Sequence, residues 1–137
     1  MKNFIKFFGI ATSVVVIIFS MSGCDLFSND YEKLNGDWDR GDIVVTFNDS
    51  NAVFTQINDS SGWKQVQNNG SIHIGDKKFR NITKIGNLEW SCQERTYDQY
   101  TYSTDWVDCT LTLSADGQSL TSYAPSTLNS STTYTKK

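Results

Sequence analysis

Two alternating stretches of the chain decide its fold: Leu88-Glu89-Trp90-Ser91-Cys92 and Cys109-Thr110-Leu111-Thr112-Leu113. Each has an apolar residue at every second position, which is typical of a strand that buries one face and exposes the other. If Cys92 lies opposite Cys109 in an antiparallel pair, the other apolar residues of both stretches also lie opposite one another and share one face. The arithmetic predicts a long hairpin whose tip is 96–104.

The rest of the sequence from Leu34 onward repeats this pattern of short apolar runs separated by Gly, Asn, Asp and Ser. No window has apolar residues at helical spacing over the length of a helix, so we predict an all-β domain. Eight or nine short strands at spacings near ten residues favour an antiparallel barrel or sandwich. The predicted strands are 43–47, 53–57, 63–66, 72–74, 79–85, 88–92, 106–113, 120–123 and 131–135.

The first 23 residues have the layout of a secretory signal peptide. Lys2 and Lys6 precede an apolar run at 7–19, and small residues follow it. Because a cysteine comes directly after Gly23, the segment resembles a bacterial lipoprotein signal, although Met21 stands where leucine is usual. That resemblance implies cleavage between Gly23 and Cys24 and a diacylglycerol on the Cys24 sulfur. The alternative is an uncleaved span, but a membrane helix needs about 20 apolar residues and this run is shorter.

These features predict a domain organisation and a location. We expect a signal peptide at 1–23, a lipidated polar tether at 24–33 and one folded domain at 34–137, held at the bacterial envelope by its lipid. Removing 1–23 takes away two lysines and no acidic residue, which leaves 10 basic and 15 acidic residues and a net charge of −5. An acidic chain without a Lys/Arg cluster argues against a nucleic-acid partner.

Cys92 and Cys109 remain after Cys24 is assigned to lipid. In an exported protein the simplest state of such a pair is a disulfide, which would stabilise the fold by about 3 kcal/mol. Free thiols are the alternative. A zinc site would need more Cys or His, and His73 is the only histidine. The sequence therefore predicts no metal site and no cofactor.

Gly36 and Trp38 carry a resemblance to a known family. The stretch Leu34-Asn35-Gly36-Asp37-Trp38, followed by the run 43–47, resembles the start of a lipocalin-like (calycin-type) chain. There the Gly-x-Trp motif lies in the first strand, and its tryptophan packs across the closed end of an up-and-down β-barrel. The resemblance implies one barrel of about eight strands, either filled by its own side chains or holding one small ligand. Lipocalins usually carry a late basic residue that covers the motif tryptophan, beside a C-terminal helix. This chain departs from that pattern, because it has only Lys136 and Lys137 there and no helical pattern.

No set of side chains predicts catalysis. The carboxylates around the cysteine hairpin could in principle hydrolyse a glycoside, but alternation places Glu89 and Glu94 on opposite faces. We therefore expect these groups, with Asp98, Asp105 and Asp108, to lie on the solvated surface. His73 is expected to be an exposed strand residue.

The aromatic residues are the remaining signal for binding. We expect Trp38 and Trp90 in the core, whereas Trp106 falls on the face opposite Cys109. With the tip tyrosines it could form a binding edge: Tyr97, Tyr100 and Tyr102. The leading hypothesis is a non-enzymatic, lipid-anchored protein that binds a small apolar ligand or acts at the envelope surface. The alternatives are a protein-interaction module, such as an inhibitor or accessory subunit, that uses 96–104, and an envelope enzyme acting on glycans.

Overall fold

A computed structural model describes residues 29–127 and 130–137. Over these ranges the chain forms two short helices and eight strands, with the following bounds: α1 Tyr31–Leu34, β1 Gly36–Asp39, β2 Ile43–Asn48, β3 Asn51–Ile57, α2 Gly62–Asn68, β4 Lys77–Gly86, β5 Glu89–Tyr97, β6 Thr104–Leu113, β7 Ser119–Ala124 and β8 Ser130–Lys136. The predicted signal peptide, Cys24 and most of the tether lie outside the described residues.

The eight strands form a closed antiparallel barrel. Each strand pairs with the next along the chain, and β1 pairs with β8 to complete the circle. Closure leaves no sheet edge exposed. The all-β prediction and the choice of a small antiparallel barrel of about eight strands are confirmed.

The cysteine hairpin has the predicted register. Cys92 lies opposite Cys109 and Trp90 lies opposite Leu111 along nine consecutive pairs of β5 and β6. The two cysteines form a disulfide with their Cα atoms 5.2 Å apart, as predicted. The turn itself is shorter than expected, because β5 continues to Tyr97 and β6 begins at Thr104.

One end of the barrel, which we call the α1 end, is closed by apolar packing. Trp38 is fully buried there, and its indole Nε1 donates to the Leu34 carbonyl oxygen at 2.7 Å. Lys136 Nζ lies 5.4 Å from the centre of the Trp38 ring. The late lysine counted as a departure from the lipocalin pattern thus covers the motif tryptophan from β8, without a helix.

The opposite end, which we call the α2 end, carries the longer connections. The strand predicted at 63–66 is wrong, because this segment is helix α2. Ser61 caps it by accepting from the Trp63 backbone N–H, and Trp63 and Val66 bury one helical face at a spacing of three. The strand predicted at 72–74 is also wrong. This segment is a loop in which Ile72 is buried and Ile74 is exposed.

The interior between the two ends is filled by large side chains. Phe47 stacks on Phe79 at 5.5 Å, and Phe79 contacts Tyr134 edge-to-face at 5.9 Å between ring centres. Phe54 contacts Trp63 of α2 at 4.9 Å. Each of these rings is at most 2% exposed, so the described part of the barrel has an aromatic core rather than an open lumen.

Candidate functional site

An Arg-Trp-Arg cluster lies on the outer wall of the barrel near the α2 end. Arg95 on β5 lies directly opposite Trp106 on β6, and Arg80 lies one strand further along on β4. The guanidinium carbons of Arg80 and Arg95 are 4.0 Å and 4.8 Å from the centre of the Trp106 ring. Stacking of this kind restricts the orientation of both guanidinium planes.

The two arginines of this cluster have hydrogen-bond donors left over. Arg80 Nε donates to Gln93 Oε1 at 2.9 Å, and Arg95 Nε is buried without a hydrogen-bond partner. Within 29–127 and 130–137, neither guanidinium forms a salt bridge, whereas Arg40 pairs with Asp42. The cluster is therefore a concentration of uncompensated positive charge on an acidic chain.

Trp106 lies on the outer face, as alternation predicted, and is half-buried by the arginines beside it. Sequence reasoning missed the two arginines because they come from different strands. The signal that could have found Arg95 was the register itself, since the cysteine pairing already places residue 95 opposite residue 106. Arg80 could not be located in this way, because β4 and β5 pair with shifts in register.

The three tip tyrosines do not form one edge. Tyr100 is 83% exposed in the turn 98–103, where Asp98 Oδ1 accepts from the backbone N–H groups of Tyr100 and Thr101. These N–H groups hold the pKa of Asp98 below its usual range. The turn therefore presents the Tyr100 ring to solvent on an ordered backbone.

Tyr97 and Tyr102 differ from the expectation of a projecting tip. The Tyr97 ring packs on Trp63 at 4.6 Å, and its hydroxyl is so close to Gly62 that a Cβ there would lie 1.8 Å away. Tyr102 has a φ of 55° and packs partly buried against the core. Tyr97 helps α2 to close the barrel and Tyr102 packs on the core, which leaves Tyr100 as the solvent-exposed member of the three.

A buried ion pair lies on the inner face behind the Arg-Trp-Arg cluster. Lys78 Nζ donates to Glu94 Oε1 at 2.7 Å, and Ser122 Oγ donates to the other carboxylate oxygen at 2.7 Å. Glu94 was expected on the solvated surface, and this expectation is wrong. Glu89, by contrast, is exposed, so the prediction that the two carboxylates face opposite ways is confirmed.

Burial of the Lys78–Glu94 pair lowers the pKa of Lys78, and Lys78 also holds the backbone of β5 in place. Burial lowers the pKa of Lys78 from 10.5 to about 8, and the attraction of Glu94 only partly opposes that shift. Lys78 Nζ also donates to the Arg95 carbonyl oxygen at 2.6 Å, and it lies 4.7 Å from the centre of the Trp63 ring. The pair thus connects α2 to the backbone that carries Arg95.

A second polar network helps to close the α2 end, and it is formed by residues of the β1–β2 connection together with Ser61. Arg40 Nε donates to Asp42 Oδ1 at 2.5 Å, and Ser61 Oγ donates to Asp42 Oδ2 at 2.7 Å. Although partial burial acts against it, these bonds lower the pKa of Asp42. The Tyr134 hydroxyl is buried nearby without a hydrogen-bond partner, and burial together with the charge of Glu94 raises its pKa.

The surface of the described residues has open depressions. One of about 370 Å³ lies beside Arg40, Thr133 and Lys137, and another of about 490 Å³ lies at the α1 end beside Leu88 and Gly117. His73 is exposed on a loop, with Nδ1 3.7 Å from Asp76 Oδ2. Among residues 29–127 and 130–137, no three His, Cys, Asp or Glu side chains are placed to hold a metal ion.

Neither helix of the described ranges is long and apolar enough to cross a membrane. Comparison with protein-family models, with curated protein sequences and with solved structures finds no match to this chain.

Proposed function

We propose that this chain is a lipid-anchored, non-enzymatic protein of the bacterial envelope, lipocalin-like in type, that binds a partner at the α2 end of its barrel. The observation that carries this proposal is that the start of the described chain and the exposed aromatic residues lie at opposite ends of the barrel. Asn29 and Tyr31, the start of the described chain, contact the barrel through Trp90 and Ile82, on the side of the α1 end. Tyr100 and Trp106 lie at or near the other end.

This polarity suits a protein held by its N-terminus. A ten-residue strand such as β6 spans roughly 30 Å along its own axis. With lipid on Cys24, a few residues before Asn29, the α1 end faces the membrane and the α2 end faces away from it. The residues 29–33, expected in a polar tether, instead pack on the barrel and would limit how freely it can turn on its anchor.

The filled interior favours partner binding over carriage of a small apolar ligand. A carrier of this class encloses a cavity of about 300 Å³ or more lined by apolar side chains. Here the described interior contains the rings of Phe47, Phe79 and Tyr134, with the Lys78–Glu94 pair beside them. Small-ligand binding remains the second candidate, and native mass spectrometry of protein extracted from its membrane tests it. A stoichiometric apolar ligand would contradict the partner proposal.

The anchor is tested by growth with labelled fatty acid. The full chain should incorporate label and fractionate with membranes, and Cys24→Ser should lose both properties. The double variant Cys92→Ser/Cys109→Ser is the control, because it removes the other two cysteines and should keep its label on a denaturing gel. Labelling that persists in Cys24→Ser would contradict the proposed lipid anchor.

The contact surface is tested by placing a photo-crosslinking residue at one position at a time in the full chain. Position 100 should give a discrete crosslinked product in cells, because its side chain is presented to solvent at the α2 end. Position 85 is the matched control, since Ile85 is also an exposed apolar residue, at 57%, but lies near the α1 end. Equal products from both positions, or none from position 100, would refute this surface. Deletion of 96–104 is unsuitable, because it would remove the packing of Tyr97 on Trp63.

A further inference from the structure

We propose that the Arg80–Trp106–Arg95 cluster is a binding site for a phosphate group. This site lies on the barrel wall beside the turn 98–103 and so enlarges the surface of the proposed function. The direction in which the site faces relative to the membrane rests on that proposed function. Unused donors, a fixed framework and a match of ligand chemistry point to this ligand.

Five of the ten basic residues in the described ranges have no carboxylate partner, and Arg80 and Arg95 are the two arginines among them. Four lysines and one arginine of the described residues form ion pairs with carboxylates: Lys33, Lys64, Lys78, Lys84 and Arg40. Arg80 and Arg95 do not, although Asp108 lies on the same outer face. The Asp108 carboxylate instead accepts from Gln93 Nε2 at 3.4 Å. Both guanidinium groups, whose central carbons lie 4.0 Å and 4.8 Å from the centre of the Trp106 ring, therefore keep terminal N–H groups that have no partner among the described residues and are free for an external acceptor.

The framework that holds these groups is rigid. Both guanidinium groups are stacked on one indole ring, and β5 and β6 pair without interruption from Glu89 to Tyr97. The Cys92–Cys109 disulfide joins the same two strands, and Lys78 fixes the Arg95 carbonyl from inside the barrel. A site held in this way loses little conformational entropy when it binds.

The ligand chemistry follows from the number and kind of donors. A guanidinium group binds a carboxylate or a phosphate through two parallel N–H···O bonds. A carboxylate has two oxygens and one charge, which a single arginine satisfies. A phosphate monoester has three free oxygens and a charge of about −1.5 to −2 at pH 7, so it can accept from both arginines at once. The cluster therefore fits a phosphate group better than a carboxylate.

A phosphate group could be carried by a soluble molecule or polymer, or by a lipid head group. The test uses the full chain in maltoside micelles and follows the indole N–H resonance of Trp106, which is identified by its absence in Trp106→Phe. Glycerol phosphate is the soluble probe, and phosphatidic acid, whose head group is also a phosphate monoester, is mixed into the micelles as the head-group probe. A shift with glycerol phosphate alone indicates a soluble or polymer-borne ligand, and a shift with both includes head groups. A shift with the lipid alone indicates head groups.

Variants decide whether a shift comes from this site. Arg80→Gln and Arg95→Gln should each weaken binding about tenfold or more, because each removes a charge-assisted bidentate contact. Arg95→Lys should recover only part of the loss, since it keeps the charge but not the planar fork. Lys77→Gln removes one positive charge from an exposed neighbour on β4 and should change the dissociation constant less than about twofold at physiological salt.

Three results would overturn the inference: no shift with either probe, a shift that persists in Arg80→Gln/Arg95→Gln, or an equal loss in Lys77→Gln. Far-UV circular dichroism of each variant confirms that the barrel is intact. Failure of phosphate binding would leave crosslinking at position 100 unaffected. Failure of that crosslinking would leave the phosphate titration unaffected, so the two proposals fail separately.

Discussion

The two ends of the barrel are closed by different physical means. At the α1 end, short turns and a fully buried Trp38 beneath Leu34 make an apolar seal. At the α2 end, a helix, the buried Lys78–Glu94 pair and the Asp42–Ser61 bond take that role. Burying an ion pair costs desolvation free energy that apolar packing does not cost. Closure of the α2 end is therefore energetically less favourable than closure of the α1 end. Tyr100, Trp106 and the two arginines without carboxylate partners lie at or near this same α2 end.

The largest expected effect comes from breaking the ion pair of the α2 end. Lys78→Met should lower the free energy of unfolding by about 3–5 kcal/mol, because it leaves the Glu94 carboxylate buried without a counter-ion. The double variant Lys78→Met/Glu94→Leu should recover most of that stability. Urea unfolding measures both, with the exposed neighbour Lys77→Met as the control, expected within about 0.5 kcal/mol of the parent. Equal losses in the single and double variants would show that the pair does not behave as a coupled unit.

The disulfide lies between the two ends and should affect them equally. Replacing both Cys92 and Cys109 by alanine should cost about 3 kcal/mol, because the bridge closes a loop between residues 17 apart in sequence. Amide hydrogen exchange locates the loss. Faster exchange confined to one end would show that the bridge supports that end rather than the barrel as a whole.

The lowered pKa of Lys78 predicts an unusual pH dependence. Between about pH 8 and 10 the unfolded lysine keeps its proton while the folded one loses it, so the unfolded state binds more protons. The free energy of unfolding should therefore rise with pH in this window, by no more than about 1.4 kcal/mol per unit.

Above about pH 10 the raised pKa of Tyr134 acts in the opposite direction, because the folded tyrosine keeps a proton that the unfolded one loses. Urea unfolding from pH 8 to 9.5 therefore isolates the lysine. The variant Lys78→Met/Glu94→Leu should remove the rise. An identical rise in that variant would assign the effect to another group.

The smallest expected effect concerns the cap of α2. Ser61→Ala removes both the cap of the helix and the bond to Asp42, and it should cost about 1 kcal/mol. Hydrogen exchange should accelerate in α2 and not in α1, which would sharpen the contrast between the ends. The exposed neighbour Ser60→Ala is the control, and a comparable loss in that variant would count against the capping role of Ser61.

Much of the fold was predictable because alternation and pairing arithmetic depend only on neighbouring residues. The register of β5 with β6, the disulfide and the closing strand near 131–135 all followed from such local patterns. Helix α2 was missed because its apolar face is formed by only Trp63 and Val66, which also fit a short strand. The capping serine at position 61 was the local signal that separated the two readings.

The candidate site was predictable only in part. Alternation correctly placed Trp106 outside the barrel, but it could not show which side chains cover the ring. Arg80 reaches that ring from β4, whose pairing with β5 shifts twice in register, and no local pattern reveals such shifts. In the same way, Glu94 resembled a surface carboxylate until Lys78, 16 residues away, was found to be its partner inside the barrel.

The sequence by itself determined the alternation of the strands and the cysteine pairing, because each depends on the order of residues within a short stretch. The lipid address stays a prediction from a pattern of the same kind. Only the tertiary structure decided which residues of different strands meet: Lys136 over Trp38, Lys78 with Glu94, and Arg80 with Arg95 on Trp106. Closing a barrel brings distant strands together at a register that no single strand encodes. The charges that distinguish the two ends therefore became visible only in the folded molecule.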